Sequence, residues 1–397
     1  MLIWRTIIAA WLVQTGWVAA AGLTLARPFG DHMVLPMERP VPVWGTAPAG
    51  SMVAVFFGGE PVHGRAGADG KWQAVLPAMP ASSKAGILKV ACGEENLAVN
   101  DVLVGRVYLC SGQSNMDFPL SRAVRGKDEL VVAANYTLVR LCNLTAAPTG
   151  AQAFDTATLA RLNVKDHFTG GWEIASKKSV AEFSAIAWWA GRMIQEEVKI
   201  PVGLVENAVG GSETEAWLPL DVLQSRPAYK GLLGEKWLDD EKISSWVKKR
   251  AKENLGSNPK GNHPFRPGFL FESGVRAWGP FPFDSVWWYQ GETNAERLDD
   301  AWNGQILKDL ITGWRTALQQ PALPFYVIQL PRIGGNDPLR QYWPQYREVQ
   351  ARVAREVPGT HLIVTEDIGW DSPEIHPPDK YPVAKRLAEA VLADQPR

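Results

Sequence analysis

Cysteine is scarce in this sequence. Three occur among 397 residues, Cys92, Cys110 and Cys142. An odd count without a CxxC spacing excludes a disulfide framework and a cysteine zinc site. One disulfide remains compatible with an oxidising compartment, although buried thiols suit these contexts better. Cys110 lies in a strand ahead of a turn, a poor place for a nucleophile. Net charge is lacking too. Lys and Arg total 41 against 42 Asp and Glu, with no long basic run. Nucleic acid and anionic membrane surfaces therefore find no electrostatic footprint here. The chain also lacks an internal repeat, a low-complexity tract and, past its N-terminus, any long apolar run.

Tryptophan, by contrast, is plentiful, 18 against 8 Tyr. So many large rings point mostly to core packing, with sugar stacking open to a few. The apolar and charged fractions, 46% and 21%, fit a globular chain, and the length suits two domains.

The first 20 residues read as a secretory signal peptide. Arg5 supplies the positive region, Ile7 to Val18 the apolar core, and Ala19 to Ala21 the small residues for cleavage. Gln14 and Thr15 interrupt the run, which is short for a membrane span. An uncleaved anchor is the alternative. The expectation is a secreted or periplasmic protein with no membrane attachment in its mature form.

Residues 21–100 are β in texture. Runs such as "VPVWGTA", "MVAVFFG", "KWQAVLP" and "GILKVACG" are separated by turn chemistry, which predicts an N-terminal β-sandwich domain. From residue 101 to 397, strand-like and helical segments alternate. That predicts an α/β domain with a doubly wound, mostly parallel sheet. Residues 220–265, rich in charge, read as an insertion or lid-like segment.

Ligands of open α/β sheets bind beyond the carboxyl ends of the strands. Four polar clusters fall there: Ser111-Gly-Gln-Ser-Asn115, Asn207-Ala-Val-Gly-Gly-Ser212, Gln290-Gly-Glu-Thr-Asn294, and the loop Asp367 to Lys380. Each alone reads as a turn. Together at one edge they divide the labour of acyl transfer. Ser114 follows a strand directly and presents a hydroxyl, with Gly112 permitting the tight turn and Ser111 as a turn-stabilising neighbour. Gly210 and Gly211 let a backbone N–H approach a substrate. Gln290 and Asn294 are amide donors suited to an oxyanion. His376 alone among six histidines sits in a post-strand loop directly before a terminal helix.

The blocks "CSGQSNM", "GGSETEAW", "WWYQGETN" and "EIHPPDK" resemble the four signature blocks of the sialate O-acetylesterase family, within the SGNH (GDSL-like) hydrolases. The front segment "FGDHMVLPMERPVPVWGTAPAG" is also similar to the family's opening strands. The resemblance implies an SGNH-hydrolase domain behind the β-sandwich, and a serine esterase that removes O-acetyl groups from sugars without metal or cofactor. It implies Ser114 as nucleophile and backbone oxyanion donor, Gly210 and Gly211 as the second-block glycines, a donor within Gln290 to Asn294, and His376 as base. Many SGNH enzymes place Asp three residues before the histidine, where this chain has Pro373. The acid is then Glu374, Asp371 or absent. Flanking prolines keep Ser372 to His376 extended, which puts Glu374 on the side of His376. The substrate is an acetylated sugar or glycan, sialate or a plant-type polysaccharide such as xylan or pectin. A non-catalytic carbohydrate-binding protein and a structural cell-surface module are the rival classes. Oligomeric state leaves no trace in the sequence.

Overall fold

A computed structural model describes residues 22–147, 149–258 and 261–394. The expected signal peptide lies outside the described residues. Among the described residues, fourteen strands run in chain order. They are β1 (Thr24–Leu25), β2 (Val34–Pro36), β3 (Val41–Thr46), β4 (Met52–Phe56), β5 (Val62–Arg65), β6 (Lys71–Leu76), β7 (Ser82–Cys92), β8 (Glu95–Gly112), β9 (Val139–Asn143), β10 (Trp172–Ile174), β11 (Val202–Ala208), β12 (Ser285–Tyr289), β13 (Phe325–Ile328) and β14 (Thr360–Ile363).

The N-terminal strands make two antiparallel groups. β3 pairs with β1 and β6, and β4 pairs with β5 and β7. The strand β8 links them to the rest. Its first half pairs with β7 and β2, and its second half, Arg106 to Gly112, lies between β11 and β12. Residue 101, where the sequence suggests a new domain, is therefore inside an 18-residue strand.

The central sheet has the order β10-β9-β11-β8-β12-β13-β14. All neighbours are parallel except β10, which runs antiparallel at the edge. Every residue of β11, β12 and β13 is buried. That is what continuous runs such as "SVWWY" require, because a parallel sheet is covered on both faces. Alternation along β8 divides two cores. Val107 and Leu109 join one, with Ile311 and Trp314 of the helix Asp300–Ala317. Tyr108 and Cys110 join the other, with Trp189 of the helix Ala185–Val198 and Leu387 of the helix Tyr381–Ala393.

Tryptophan is spent in these cores. Trp188, Trp189, Trp217, Trp278, Trp287, Trp288, Trp314 and Trp343 are all fully buried. The three cysteines are free and buried, and burial pushes the Cys142 thiol up to about 12. Residues 220–265 contain two short helices, Leu220–Ser225 and Ser245–Leu255, tied by helical turns to the main body. Among the described residues, no helix is long and apolar enough to cross a membrane.

Candidate active site

The strand β8 ends at Gly112, and the chain turns at once. Gly112 has φ +139°, and a Cβ there would lie 2.0 Å from the Tyr289 carbonyl oxygen on β12. No other residue fits this turn. The Gln113 N–H donates to that same carbonyl (3.0 Å), and the Gln113 carbonyl accepts from Met116 (2.8 Å) and Asp117 (3.0 Å). This one-turn hook carries Ser114 out over the sheet edge. Ser111 stays behind as a buried tie, its hydroxyl donating to the Asn207 carbonyl at 2.6 Å.

Opposite Ser114 stands His376, with Nε2 2.8 Å from Ser114 Oγ. Its Nδ1 lies 2.7 Å from Glu374 Oε1, which also accepts the His376 backbone N–H at 3.2 Å. A carboxylate at Nδ1 fixes the ring proton there and leaves Nε2 free to accept. Serine, imidazole and carboxylate thus form one row. The sequence predicts an extended segment here, but the chain bends at Ile375 and His376, and Glu374 Oε1 meets both the backbone N–H and the ring of His376 in that bend. Burial holds the imidazole below its ordinary value, with Glu374 pulling the other way and the charges of Lys380 and Arg122 adding to the depression. The hydrogen bond from His376 holds Glu374 below the usual carboxylate range.

Asp371, the other acid considered from the sequence, is not in this row. It is largely exposed and ion-paired with Arg332. The bends between Asp371 and His376 leave Asp371 on Arg332 and away from the imidazole.

Gln290 and Asn294 also depart from expectation. Neither lines a cavity that contains Ser114. Gln290 Nε2 donates to Asn294 Oδ1 (2.6 Å) and to the Ser212 carbonyl (3.2 Å), and Gln290 Oε1 accepts from Thr214 Oγ1 (2.7 Å). Asn294 Nδ2 donates to Glu215 Oε2 at 2.9 Å. The cause is Glu215, a fully buried carboxyl that needs donors. It takes them from Asn294 and from Trp302 Nε1 (2.8 Å). These amides brace the second and third polar clusters against each other.

Gly210 does reach the serine. A Cβ built on it would lie 3.5 Å from Ser114 Cβ. Among the described residues, no protein acceptor takes the backbone N–H of Ser114 or Gly210. Two N–H groups thus flank the serine unclaimed. Gly211 sits against the Trp246 ring.

Two cavities meet at Ser114, Gly210 and His376. The larger, about 640 Å³, is lined by Asp117, Phe118, Arg122, Asn143, Thr145 and Glu182 among others. The smaller, about 230 Å³, is walled by Gln113, Trp246, Arg250, Thr293, Glu296 and Arg340. Trp246 and Arg250 come from the 220–265 segment, which therefore forms part of the site wall. The sequence reading left out these wall residues, and only the segment's insertion-like character hinted at them. It also left out Asn115, Glu292 and Lys380, all buried within the motifs themselves. Among the described residues, no cluster of His, Cys, Asp and Glu is arranged to hold a metal ion.

A Ser-His-Glu row at the carboxyl edge of a parallel sheet, with free N–H groups beside the serine, has the parts that the serine-hydrolase class of reaction requires. Comparison with known proteins narrows this class. Residues 273–393 match the family described as "Carbohydrate esterase, sialic acid-specific acetylesterase". The chain is 27% identical to sialate O-acetylesterase of Mus musculus, over 93% of this chain and 73% of that one. The Homo sapiens sialate O-acetylesterase is 25% identical, over 93% and 70%. Among solved structures, a carbohydrate acetylesterase from Xanthomonas citri superposes with a TM-score of 0.71 at 29% identity, covering 92% of this chain and 74% of that one. The chain is thus similar, over most of its length, to sialate O-acetylesterases and to a carbohydrate acetylesterase.

Proposed function

We propose that this protein removes O-acetyl groups from carbohydrates through an acyl-serine intermediate. It is a carboxylic ester hydrolase, as the family comparisons establish. The observation that carries the mechanism is the contact of 2.8 Å between His376 Nε2 and Ser114 Oγ, backed by Glu374. The Ser114 hydroxyl attacks the acetyl carbonyl while His376 takes its proton. Charge developing on the carbonyl oxygen is met by the N–H groups of Ser114 and Gly210. The sugar oxygen then leaves with the proton from His376. Water, activated by the same imidazole, releases acetate and restores the serine. The larger cavity, of ordinary ligand-site size, receives the sugar. Its Asp117, Asn143, Thr145 and Glu182 offer polar partners for hydroxyl groups.

The N-terminal strands are read here as a small β-sandwich, and the parallel sheet with its four polar loops as an SGNH-hydrolase core. The antiparallel pairings before Glu95 and the placement of the loops at one sheet edge support that reading. A secreted or periplasmic location is inferred from the first 20 residues. Intact-mass measurement of exported protein tests it, and a mature chain that keeps this segment refutes it.

The deciding assay is acetate release from p-nitrophenyl acetate and from a panel of acetylated glycans. The panel includes sialate, xylan and pectin esters. Ser114→Ala is expected to lower kcat by at least about 10³-fold, since serine and base act as a unit. Ser111→Ala, which loses only a strand tie, should cost far less. Glycan binding without hydrolysis by the wild-type chain is the result expected of a carbohydrate-binding protein, and it overturns the proposal.

A further inference from the structure

Directly behind the Ser-His-Glu row lies a second polar assembly that the reaction as described does not use. Asn115, next to the serine, is fully buried. Its Nδ2 donates to Glu292 Oε1 at 2.6 Å and to the Ile375 carbonyl at 2.9 Å. Its Oδ1 accepts from Lys380 Nζ. Glu292 and Lys380 are 1% and 2% exposed. The three residues come from three separate clusters: the serine hook, the loop after β12 and the histidine loop. A neutral amide is the one group of this size that can donate to a carboxylate and a carbonyl while accepting from an ammonium.

The assembly also touches the imidazole electrostatically. Lys380 Nζ sits 4.6 Å from the centroid of the Phe118 ring, and that ring packs 6.2 Å from the His376 ring. A buried ammonium is costly unless it is paired and hydrogen-bonded. Lys380 answers this with Asn115, Phe118 and the nearby Glu292 carboxyl.

We propose that Lys380, Asn115 and Glu292 form a positioning device, which ties the histidine loop to the serine hook and presents a positive charge to the imidazole. The device rests on the reading of His376 as the general base. Asn115 joins its own backbone, adjacent to the nucleophile, to the carbonyl adjacent to the base. The distance across which the proton moves is thus fixed by one buried side chain. Lys380 disfavours the imidazolium, so His376 stays ready to accept a proton at mildly acid pH.

The charged surroundings are few. Glu292 and Glu374 face Lys380, from the loop after β12 and from the histidine loop. Glu374, Lys380 and Arg122 act on His376. Arg340 also acts on Glu292. Asp379, beside Lys380, is turned away to Arg125. Burial pushes the Lys380 ammonium down to about 7 and the Glu292 carboxyl up. The charge on Lys380 is therefore itself titrated in the working range.

The test is the pH profile of kcat/KM, with p-nitrophenyl acetate as probe. In Lys380→Met the imidazole loses a neighbouring positive charge, so its pKa rises. The acid limb should move to higher pH by about one unit, the lower end of what a neighbouring charge does. Asn115→Asp turns a donor toward Glu292 into an acceptor. It should lower kcat by about 10²-fold, the cost of a small misplacement, with KM little changed. A uniform fall in Lys380→Met with an unmoved acid limb overturns the electrostatic role. An unchanged kcat in Asn115→Asp overturns the positioning role.

Should the Lys380 variant fail to fold, the wild-type protein still decides. The ring nitrogens of His376, followed by NMR against pH, should show two steps, their own protonation and the deprotonation of Lys380. A single step refutes the coupling. His376→Ala separates the two readings. If it keeps full activity, the base assignment falls. If it is inactive while the Lys380→Met limb stays put, the base assignment stands and the electrostatic role of Lys380 falls.

Discussion

Glu374 is the carboxylate that meets Nδ1 of His376. It is more than half exposed, with 57% of its side-chain surface open, so water screens it more than it would a buried triad acid. Glu374→Gln should therefore lower kcat by about 10²-fold or more, short of or approaching the ~10⁴-fold cost of a buried triad carboxylate. Asp371→Asn, which only loosens a surface pair with Arg332, should leave kcat nearly unchanged. Equal effects from the two substitutions would refute the assignment. The pH profile supplies a second check. His376 titrates below its ordinary value of 6.5, and only its neutral form accepts a proton. Wild-type kcat/KM should stay flat through neutral pH and fall as pH drops through that lowered value. Glu374 raises the imidazole's pKa, so the limb of the residual Glu374→Gln activity should move to lower pH, opposite to the shift expected for Lys380→Met. That Ser114, His376 and Glu374 could lie together was legible in the sequence, because a polar strand end and a post-strand loop are local signals, whereas the bend that joins Glu374 to His376 was not. The roles of Gln290 and Asn294 were not, because a distant buried carboxyl, Glu215, decides which way an amide points. Lys380 was not singled out in the sequence, and only the packing of Phe118 and Asn115 against it marks it as part of the site.

At the level of elements, the site is a set of loops whose geometry the strands dictate. The hook after β8 is the strictest case. Gly112→Ala meets both an unfavourable backbone conformation, about 1–3 kcal/mol by itself, and a backbone oxygen 2.0 Å away. A clear drop in Tm or a loss of soluble protein is expected, together with loss of activity. Gly210→Ala is the contrasting case. Its Cβ would make only ordinary contact with Ser114, so Tm should hold while kcat falls as the approach to the N–H pair is crowded. Thermal unfolding and steady-state kinetics on the same preparations check both, and a Gly112→Ala protein of normal stability contradicts the account of the turn. The alternation of strand and helix was readable, since fully apolar runs and 3.6-residue periodicity carry it. The antiparallel β10 and the helical turns of 220–265 were not, because short elements owe their form to neighbours rather than to their own pattern.

Across the whole molecule, β8 makes the two halves interdependent. Phe29 packs on Trp44 at 5.0 Å and on Phe281 at 6.5 Å, joining the N-terminal strands to the Trp278–Phe281–Phe283 cluster beside β12. A chain beginning at residue 101 strips β8 of its β7 partner and bares that cluster to water. It should aggregate, whereas the full chain should unfold in one calorimetric transition. Soluble, active protein from residue 101 onward would show the halves to be separable. The sequence did show a change of texture near residue 100. It could not show a single strand running through the change, since β-rich residues look alike on either side of it.

The same strand has a consequence in time. Synthesis runs at about 5–20 residues per second, and Ser114 precedes His376 by 262 positions. Roughly 13–50 s therefore pass between the emergence of Ser114 and that of His376. During that interval the second half of β8 waits for β11 on one edge and then for β12 on the other. It is an apolar strand with open hydrogen-bonding edges, the kind of surface that nascent chains must have shielded. On the proposed mechanism the newborn chain is thus esterase-silent until His376 has emerged. Stalled chains of increasing length, assayed on the ribosome, should show hydrolysis only once the segment past Lys380 has cleared the exit tunnel.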